Sequence, residues 1–248
     1  MRIALAMSTQ VVHTHCTMDC PDTCGLAVTV TNGRVQKIQG SHNHPITDGF
    51  ICDKVARFDR RLYHEDRLLY PLRRSGRKGT GQFVRISWEE AIEEITSRFK
   101  AIIQQWGGEA ILPYHYGGSN GLLGEKFLDE FYFATLGASR IAKTLCAAPS
   151  TEVAAGMYGR MPGVAFEDYP LAKCIVIWGA NPRATNIHLV PLLRQAKKNG
   201  AFIITVNPTQ TFSAQEVDLH LPVFPGADLP IALSLIRSWK EAERFDLA

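Results

Sequence analysis

Residues 16–40 read CTMDCPDTCGLAVTVTNGRVQKIQG, and this stretch decides the fold of the N-terminal part of the chain. Its first half spaces three cysteines as C-x3-C-x3-C, and a fourth, Cys52, follows after a gap. Cysteines four positions apart could share one helix face, but Pro21 and Gly25 disfavour a helix. The segment is therefore predicted to be a loop that wraps a ligand.

The clustered cysteines indicate a metal site rather than a disulfide scaffold. Six cysteines in 248 residues are too few for such a scaffold, and the absence of a secretory signal predicts the cytoplasm, where thiols stay reduced. Three close cysteines with a remote fourth are typical of a 4Fe–4S cluster, whereas structural zinc favours paired C-x2-C knuckles. Zinc and a metal-free loop remain as alternatives. The predicted ligands are Cys16, Cys20, Cys24 and Cys52, and His13 and His15 are interpreted as loop residues.

The second half of the stretch predicts a β-hairpin. Two alternating apolar runs flank Asn32–Gly33, which is a strong short-range hairpin signal. A hairpin between the ligands would hold the cluster loop rigidly. Lys54 lies two residues past Cys52 and is either a solvated surface charge or a bridge from the cluster to a second cofactor.

Composition excludes several classes of protein. With 46% hydrophobic and 21% charged residues, the chain is an ordinary globular protein and is neither disordered nor collagen-like. No uncharged apolar stretch approaches the roughly 18 to 20 residues that span a bilayer. A net charge of +3 supplies no basic stripe for nucleic acid, so no nucleic-acid partner is expected.

A connector and a helix are predicted in the middle of the chain. Residues 60–86 show little periodicity and are interpreted as a surface connector. Ser87 and Glu90 predict a capping box, and a helix then runs to Gly107. Apolar residues at helical spacing are expected to face the core: Trp88, Ile92, Ile95, Phe99, Ile102 and Ile103.

From residue 110 onward, strands and helices alternate, which predicts a parallel α/β sheet. The predicted strands are AILPYHY (110–116), CIVIW (174–178), AFIITV (201–206) and DLHLPV (218–223). Ligands of such sheets bind beyond the carboxyl ends of the strands. The loops there are GGSNG (117–121), GANPR (179–183), NPTQ (207–210) and PGAD (225–228). They favour a nucleotide-like ligand, but the missing G-x-G-x-x-G fingerprint argues against a simple NAD enzyme.

Two cysteines lie outside the cluster. Cys174 begins a predicted buried strand and is interpreted as a small core residue. Cys146 precedes a predicted helix with Pro149 near its start, and it is either a core residue or a thiolate at the edge of the sheet.

These motifs, in this order, resemble the molybdopterin oxidoreductases of the dimethyl sulfoxide reductase superfamily, which includes formate dehydrogenases and nitrate reductases. The resemblance runs from His13 to the end of the chain, and CPDTC at 20–24 is similar to the cluster loop of poorly characterised members. It implies a mixed α/β fold. A small 4Fe–4S domain with a β-hairpin (residues 11–70) precedes a Rossmann-like, parallel-sheet domain (residues 71–248) that binds molybdopterin guanine dinucleotide.

The resemblance also implies roles for individual residues. The four clustered cysteines would hold the 4Fe–4S cluster, and Lys54 would lie between cluster and pterin. The segment 146–150 is similar to the formate dehydrogenase segment that ligates the metal, which makes Cys146 the candidate ligand of molybdenum or tungsten. The W-G-x-N-P and P-G-x-D motifs are similar to loops that bind the guanine dinucleotide. The expected cofactor-binding residues are Gly118, Ser119, Asn120, Gly179, Asn181, Pro182, Asn207, Gly226 and Asp228.

Three departures from the family pattern limit what is carried over. Asn207–Pro208 replaces a frequent Asp-Pro, and Ala147 stands where formate dehydrogenases have histidine, so formate is not supported as the substrate. Family members also continue with further domains beyond the 248 residues of this chain.

The leading hypothesis is the N-terminal part of a molybdenum or tungsten oxidoreductase. It would act on a small-molecule substrate and pass electrons to an electron-transfer protein or subunit, and a separate chain with the C-terminal domains is a further candidate partner. The second hypothesis is a truncated or standalone iron–sulfur module for electron transfer or assembly, without its own active site. A zinc-stabilised nucleotide-binding protein is the third.

Overall fold

The computed structural model of the protein describes residues 8–115, 128–142, 144, 147–213 and 215–244. The chain groups into two compact units, 1–162 and 163–248. Within the described residues, no helix combines the length and the apolar character that crossing a bilayer requires.

The first unit begins with a three-stranded antiparallel sheet. Its strands are β1 (Thr9–His15), β2 (Gly25–Thr31) and β3 (Arg34–Gly40), in that spatial order. The turn between β2 and β3 is formed by Asn32 and Gly33, whose φ angles of 51° and 74° suit the tight turn that this dipeptide favours. The predicted hairpin is therefore confirmed.

Strand β1 corrects the interpretation of His13 and His15 as loop residues. Both lie in β1 and pair with Ala27 and Gly25 of β2. Every residue of β1 is exposed, so the strand lacks the alternation of buried and exposed positions by which a sequence reveals a strand. Pairing with β2 stabilises it instead.

The remaining elements of the first unit are mostly short. They are α1 (Asp53–Ala56), α2 (Phe58–Leu62), β4 (Leu72–Arg74), β5 (Phe83–Arg85), α3 (Trp88–Trp106), a 3-10 helix (Gly108–Ala110), α4 (Leu128–Thr135) and α5 (Ala148–Tyr158). Strands β4 and β5 pair antiparallel, so the predicted connector contains a small hairpin.

Helix α3 confirms its predicted start but not its predicted burial. The Ser87 hydroxyl accepts the Glu90 amide over 3.1 Å, and the Glu90 carboxylate accepts the Ser87 amide over 2.7 Å. Ile92 and Ile95 are 60% and 51% exposed, and no residue of α3 is buried. An amphipathic pattern specifies an apolar stripe on a helix; it does not specify the element that covers the stripe.

The predicted strand at 110–116 is wrong over its described part. Residues 111–115 form no strand, although Ile111 is buried and its carbonyl accepts the Ser139 amide over 2.9 Å. Pro113 lacks the amide that a central strand would donate, which disfavours pairing here.

The second unit contains the predicted parallel sheet. Strands β6 (Cys174–Trp178), β7 (Phe202–Val206) and β8 (Leu219–Leu221) lie in the order β6–β7–β8. Helices α6 (Pro182–Thr185) and α7 (Leu189–Lys198) connect β6 to β7, and α8 (Asp228–Glu241) follows β8. The mixed α/β fold, with an antiparallel sheet before a parallel one, is therefore as predicted.

One face of the parallel sheet carries the core of this unit. The buried side chains there are Ile177, Leu189, Leu193, Ile203, Phe212 and Val217. Each buried aliphatic side chain contributes about 1.5 to 3 kcal/mol to stability. The other face exposes apolar side chains, among them Val176 and Phe202. Cys174 is the first residue of β6 and is exposed, so its interpretation as a core residue is wrong.

Candidate functional site

The loop with the first three cysteines joins β1 to β2. Because these strands pair to their last residues, Cys16 and Cys24 begin and end the loop side by side. The Cys16 amide donates to the Cys24 carbonyl over 2.8 Å. The Met18 amide donates to Cys16 Sγ over 3.5 Å, and the Cys20 amide donates to the Met18 carbonyl over 2.9 Å. The segment is a folded loop, as predicted, and it gathers three thiols at one end of the sheet.

A buried threonine fixes the segment that leads to the fourth cysteine. Thr47 is 0% exposed, and its hydroxyl accepts the amide of Gly25, the residue after Cys24, over 2.8 Å. The same hydroxyl lies 3.0 Å from His44 Nδ1. These contacts tie the chain before Cys52 to the start of β2. Sequence analysis missed Thr47 because a threonine in a polar loop carries no pattern that marks its burial.

The four predicted cluster ligands lie within electrostatic reach of one another. Burial raises the pKa of the Cys24 thiol, and the charges of Asp22 and of the three other thiols add to this, bringing it to about 11. Burial also raises the pKa of Cys20, although a hydrogen bond with the Asp22 backbone opposes the shift. A bound metal reverses this tendency, because its positive charge deprotonates a coordinating thiol. All four thiols are free of disulfides, so this donor set fits an iron–sulfur cluster.

Apolar side chains pack with three of the four thiols, those of Cys16, Cys24 and Cys52. Cys24, Leu26 and Val55 form a buried group, and Cys16, Cys52 and Phe58 pack against it. Such a shell excludes water from a metal site and tunes its reduction potential. We define this set of thiols and apolar neighbours as the thiol pocket.

The second candidate site lies at the carboxyl edge of the parallel sheet. Gly179 follows β6 with a φ of 62°, and its amide donates to the Val206 carbonyl over 2.9 Å. Asn207 follows β7, and its side-chain oxygen accepts the Thr209 amide over 3.0 Å. The strand-end loops of neighbouring strands therefore lie next to one another, as predicted.

A side-chain hydrogen bond joins the end of β6 to the start of α8, which follows the loop after β8. Trp178 Nε1 donates to Asp228 Oδ1 over 2.6 Å. Asp228 begins α8, so its carboxylate also lies at the positive end of that helix. Gly226, with a φ of 88°, supplies the left-handed turn before it.

Asn181 provides the strongest indication that this edge binds a ligand. Its Oδ1 atom is buried and has no hydrogen-bond partner among the described residues. A buried acceptor without a partner costs about 1 to 3 kcal/mol. Pro182, the next residue, is buried and begins α6. The edge thus fits a polar ligand with N–H donors, such as a nucleotide base.

An ion cluster holds this edge in place, and sequence analysis missed it. The Glu216 carboxylate accepts hydrogen bonds from Arg183 of α6, from Arg194 over 3.2 Å, and from the Ser213 amide and hydroxyl over 3.1 and 2.9 Å. Burial raises the pKa of Glu216, but these hydrogen bonds outweigh it and lower the pKa to about 2. No spacing in the sequence links these residues, because they meet only in the folded unit.

We expect Glu216→Gln to lower the free energy of unfolding by about 2 to 3 kcal/mol near pH 7, since the hydrogen bonds to a charged acceptor are lost. The folded-state pKa lies below the ordinary value of 4.5, so the stabilisation is full above that value. This stabilisation is lost as the pH falls toward 2. At about pH 3, the difference in free energy of unfolding between wild type and variant should be less than half of its value near pH 7. Urea unfolding at the two pH values measures it.

Glu241→Gln is the matched control for this prediction. Glu241 is 62% exposed and pairs only with Arg237 among the described residues, so its loss should change stability by less than about 0.5 kcal/mol. Equal effects of the two substitutions would contradict the role given to Glu216.

Several predicted site residues lie outside the described residues. These are Gly118, Ser119, Asn120 and Cys146. Helix α5 begins two residues after Cys146 and has Pro149 in its first turn, as predicted. Lys54 lies in α1 with an exposed side chain, two residues after Cys52 of the thiol pocket.

Comparison with known families matches both parts of the chain. The family "Molybdopterin oxidoreductase Fe4S4 domain" matches residues 9–64, and the family "Molybdopterin oxidoreductase" matches residues 67–244. The matches confirm the predicted pair of cofactors, a 4Fe–4S cluster and a molybdopterin. They leave the zinc interpretation without support. Which residues hold each cofactor stays a prediction.

Individual relatives agree with the family matches. "Probable oxidoreductase YoaE" of Bacillus subtilis is 37% identical over 221 residues, covering 89% of this chain and 32% of the relative. "Dimethyl sulfoxide reductase DmsA" of Escherichia coli is 29% identical, covering 91% of this chain and 30% of the relative. Acetylene hydratase from Pelobacter acetylenicus superposes with a TM-score of 0.68 at 26% identity, covering 94% of this chain and 32% of that one. The chain spans about a third of the length of these relatives.

Proposed function

We propose that this chain, which belongs to the molybdopterin oxidoreductase family, is the N-terminal part of an enzyme that couples two-electron chemistry at molybdenum or tungsten to electron transfer through a 4Fe–4S cluster. The observation that carries the proposal is the thiol pocket, in which four thiols that form no disulfide lie within electrostatic reach of one another and three of them pack with apolar side chains. We assign residues 11–70 to cluster binding and residues 71–248 to pterin binding, and the ranges of the two family matches support this division.

In the thiol pocket, Cys16, Cys20, Cys24 and Cys52 are the proposed cluster ligands. A 4Fe–4S cluster held by them would supply one-electron transfer. Leu26 and Val55 would keep water away from it, and this apolar surrounding would tune its potential. The Thr47 hydrogen bond holds Cys24 and the segment before Cys52 in a fixed relation.

At the carboxyl edge of the parallel sheet, the proposed ligand is the guanine dinucleotide part of the pterin cofactor. When bound, this cofactor supplies a metal that exchanges two electrons with a substrate. The Asn181 side-chain oxygen would accept an N–H of the guanine base, and Asp228, oriented by Trp178, would accept another. Gly179 and Gly226 leave room for close approach, since no atom of the described residues lies within 4 Å of where a Cβ would be. The remaining proposed contacts are Gly118, Ser119, Asn120, Pro182 and Asn207.

The proposed substrate is a small molecule, and the proposed partner is an electron-transfer protein or subunit. A separate chain that carries further domains of the family is also proposed as a partner. The cytoplasmic location expected from the sequence stays a prediction.

The proposal is tested by analysing the protein purified without oxygen. We expect about one molybdenum or tungsten per chain, and acid treatment should release about one guanine nucleotide per pterin. Iron without molybdenum, tungsten or guanine nucleotide would support the alternative, an iron–sulfur module without an active site.

Lys54 is proposed to bridge the cluster and the pterin and so to support electron transfer between them. Lys54→Met should slow that transfer at least about tenfold while leaving iron and molybdenum contents unchanged, because the side chain is exposed and supports no core. Single-turnover reoxidation of the reduced cluster measures the rate. The matched control is Lys37→Met, an exposed lysine of β3, which should leave the rate unchanged. Equal rates in both variants would remove the role of Lys54.

A further inference from the structure

Positive charge is concentrated in one segment of the first unit. Residues 53–85 contain ten Lys and Arg residues against four Asp and Glu residues, a net charge of +6. The whole chain has a net charge of +3, so the rest of the sequence carries a net charge of −3. A strong local field of one sign steers oppositely charged partners toward this surface.

Within this segment, arginines line an open recess of about 520 Å³ on the surface. Its lining residues are Arg57, Arg60, Arg61, His64, Asp66 and Arg67. We call the four arginines the arginine patch. Arg60, Arg61 and Arg67 form no ion pair with a described carboxylate. Arg57 pairs with Asp53 only loosely, over 3.7 Å, and both side chains are exposed.

The arginine patch lies beside the thiol pocket. Helix α1 begins directly after Cys52, and α2 follows it with Arg57 between the two. Phe58 of α2 packs into the thiol pocket, whereas Arg60 and Arg61 of the same short helix are exposed to solvent. One helix therefore connects the surroundings of the cluster to the charged surface.

Exposed apolar residues adjoin the patch and favour a protein as its partner. Leu68 and Leu69, which follow Arg67, are 73% and 67% exposed. Tyr70 is also exposed, and the Arg85 guanidinium stacks over its ring at 3.2 Å from the centroid. Arginine and tyrosine are enriched at protein–protein interfaces, and an apolar centre within a charged surface is typical of them.

We propose that the arginine patch is the docking surface for a small acidic electron-transfer protein of the ferredoxin class. The inference rests on the proposed function, because it requires that the thiol pocket hold a cluster. In the docked complex, one electron passes between the iron–sulfur centre of the carrier and the 4Fe–4S cluster, and no bond is formed or broken. In the direction that the test follows, the carrier is oxidised and the cluster is reduced.

The test uses the cluster-loaded protein and a plant-type 2Fe–2S ferredoxin as the probe. Calorimetry gives the dissociation constant, and stopped-flow absorbance gives the second-order rate of cluster reduction. Wild-type affinity should fall at least about tenfold when salt rises from about 0.05 to 0.3 M, because exposed charges are screened. Arg60→Glu combined with Arg61→Glu should weaken binding and slow reduction at least about tenfold at low salt.

The matched control is Arg77→Glu combined with Lys78→Glu. It makes the same change of charge on exposed residues of the same basic segment, outside the recess. We expect less than about a threefold effect from it. Arg60→Gln combined with Arg61→Gln should give an intermediate loss. Iron content must match wild type in every variant, which separates docking from folding.

The docking surface would be overturned by no ferredoxin binding, by binding that is insensitive to salt, or by equal effects of the two charge reversals. Tighter binding of a single-stranded oligonucleotide than of ferredoxin would also overturn it. Reduction by dithionite distinguishes the two proposals. A cluster that dithionite reduces but ferredoxin does not refutes only the docking surface, whereas a chain without a cluster refutes the proposed function.

Discussion

Cys24→Ala is expected to yield a chain that retains little or none of the roughly four irons of a 4Fe–4S cluster after purification without oxygen. Cys24 is the buried member of the four thiols, and its backbone links the cluster loop to the first strand through Cys16. Without one of the four proposed ligands, water would reach the iron and the iron would dissociate. The brown absorbance should therefore disappear as well. Iron analysis and absorption spectra measure the effect.

Cys174→Ala is the matched control, because Cys174 is a free cysteine outside the thiol pocket and is exposed. It should keep the wild-type iron content. If the two variants held the same iron, Cys24 would not be a ligand and the proposed role of the thiol pocket would fail. Cys20→Ala repeats the comparison at a proposed ligand that is less buried.

Cys146→Ala is expected to abolish turnover of the cofactor-loaded enzyme that contains this chain, while the iron content stays at the wild-type level. The resemblance of residues 146–150 to the metal-ligating segment of formate dehydrogenases motivates this expectation. Removing the proposed ligand would change the ligand field of the reacting metal and would leave the four clustered thiols in place. Turnover with an artificial electron donor and iron analysis of the same preparation measure both effects.

Cys146→Ser tests the same assignment by asking whether a conservative replacement restores turnover. Serine is a metal ligand in some members of the family that the sequence resembles, so this variant should recover part of the turnover. Normal turnover of Cys146→Ala would remove Cys146 from the metal site. Cys174→Ala again serves as the control, and we expect it to be fully active.

Local signals in the sequence predicted much of the fold. Asn32–Gly33 favours one kind of turn, and Ser87 with Glu90 forms a capping box, so the hairpin and the start of α3 follow from neighbouring residues. The alternation of strands and helices from residue 110 onward predicted the parallel sheet, because such a succession has few packing solutions, although the first of the predicted strands does not form over its described part.

What the sequence did not predict depends on contacts between distant residues. β1 is a strand only because β2 pairs with it, and Thr47 is buried only because Gly25 donates to it. The ion cluster around Glu216 brings together Arg183 and Arg194 from separate elements. None of these contacts has a fixed spacing, so no pattern in the sequence could reveal them.

For the candidate sites as well, local patterns were predictable and features that depend on distant contacts were not. The spacing of the cysteines predicted the cluster, because metal ligands are few and chemically distinctive. The exposed position of Cys174 was not predictable, since it depends on which face of the sheet α7 covers. The buried side-chain oxygen of Asn181, which no described residue contacts by a hydrogen bond, likewise could be found only in the folded loop.

The most direct test of the central claim is the count of iron, acid-labile sulfide and zinc in protein purified without oxygen, together with the electron paramagnetic resonance spectrum after reduction by dithionite. The account predicts about four irons and four sulfides per chain, no stoichiometric zinc, and the signal of a reduced 4Fe–4S cluster. A colourless protein with one zinc per chain and no iron would contradict it.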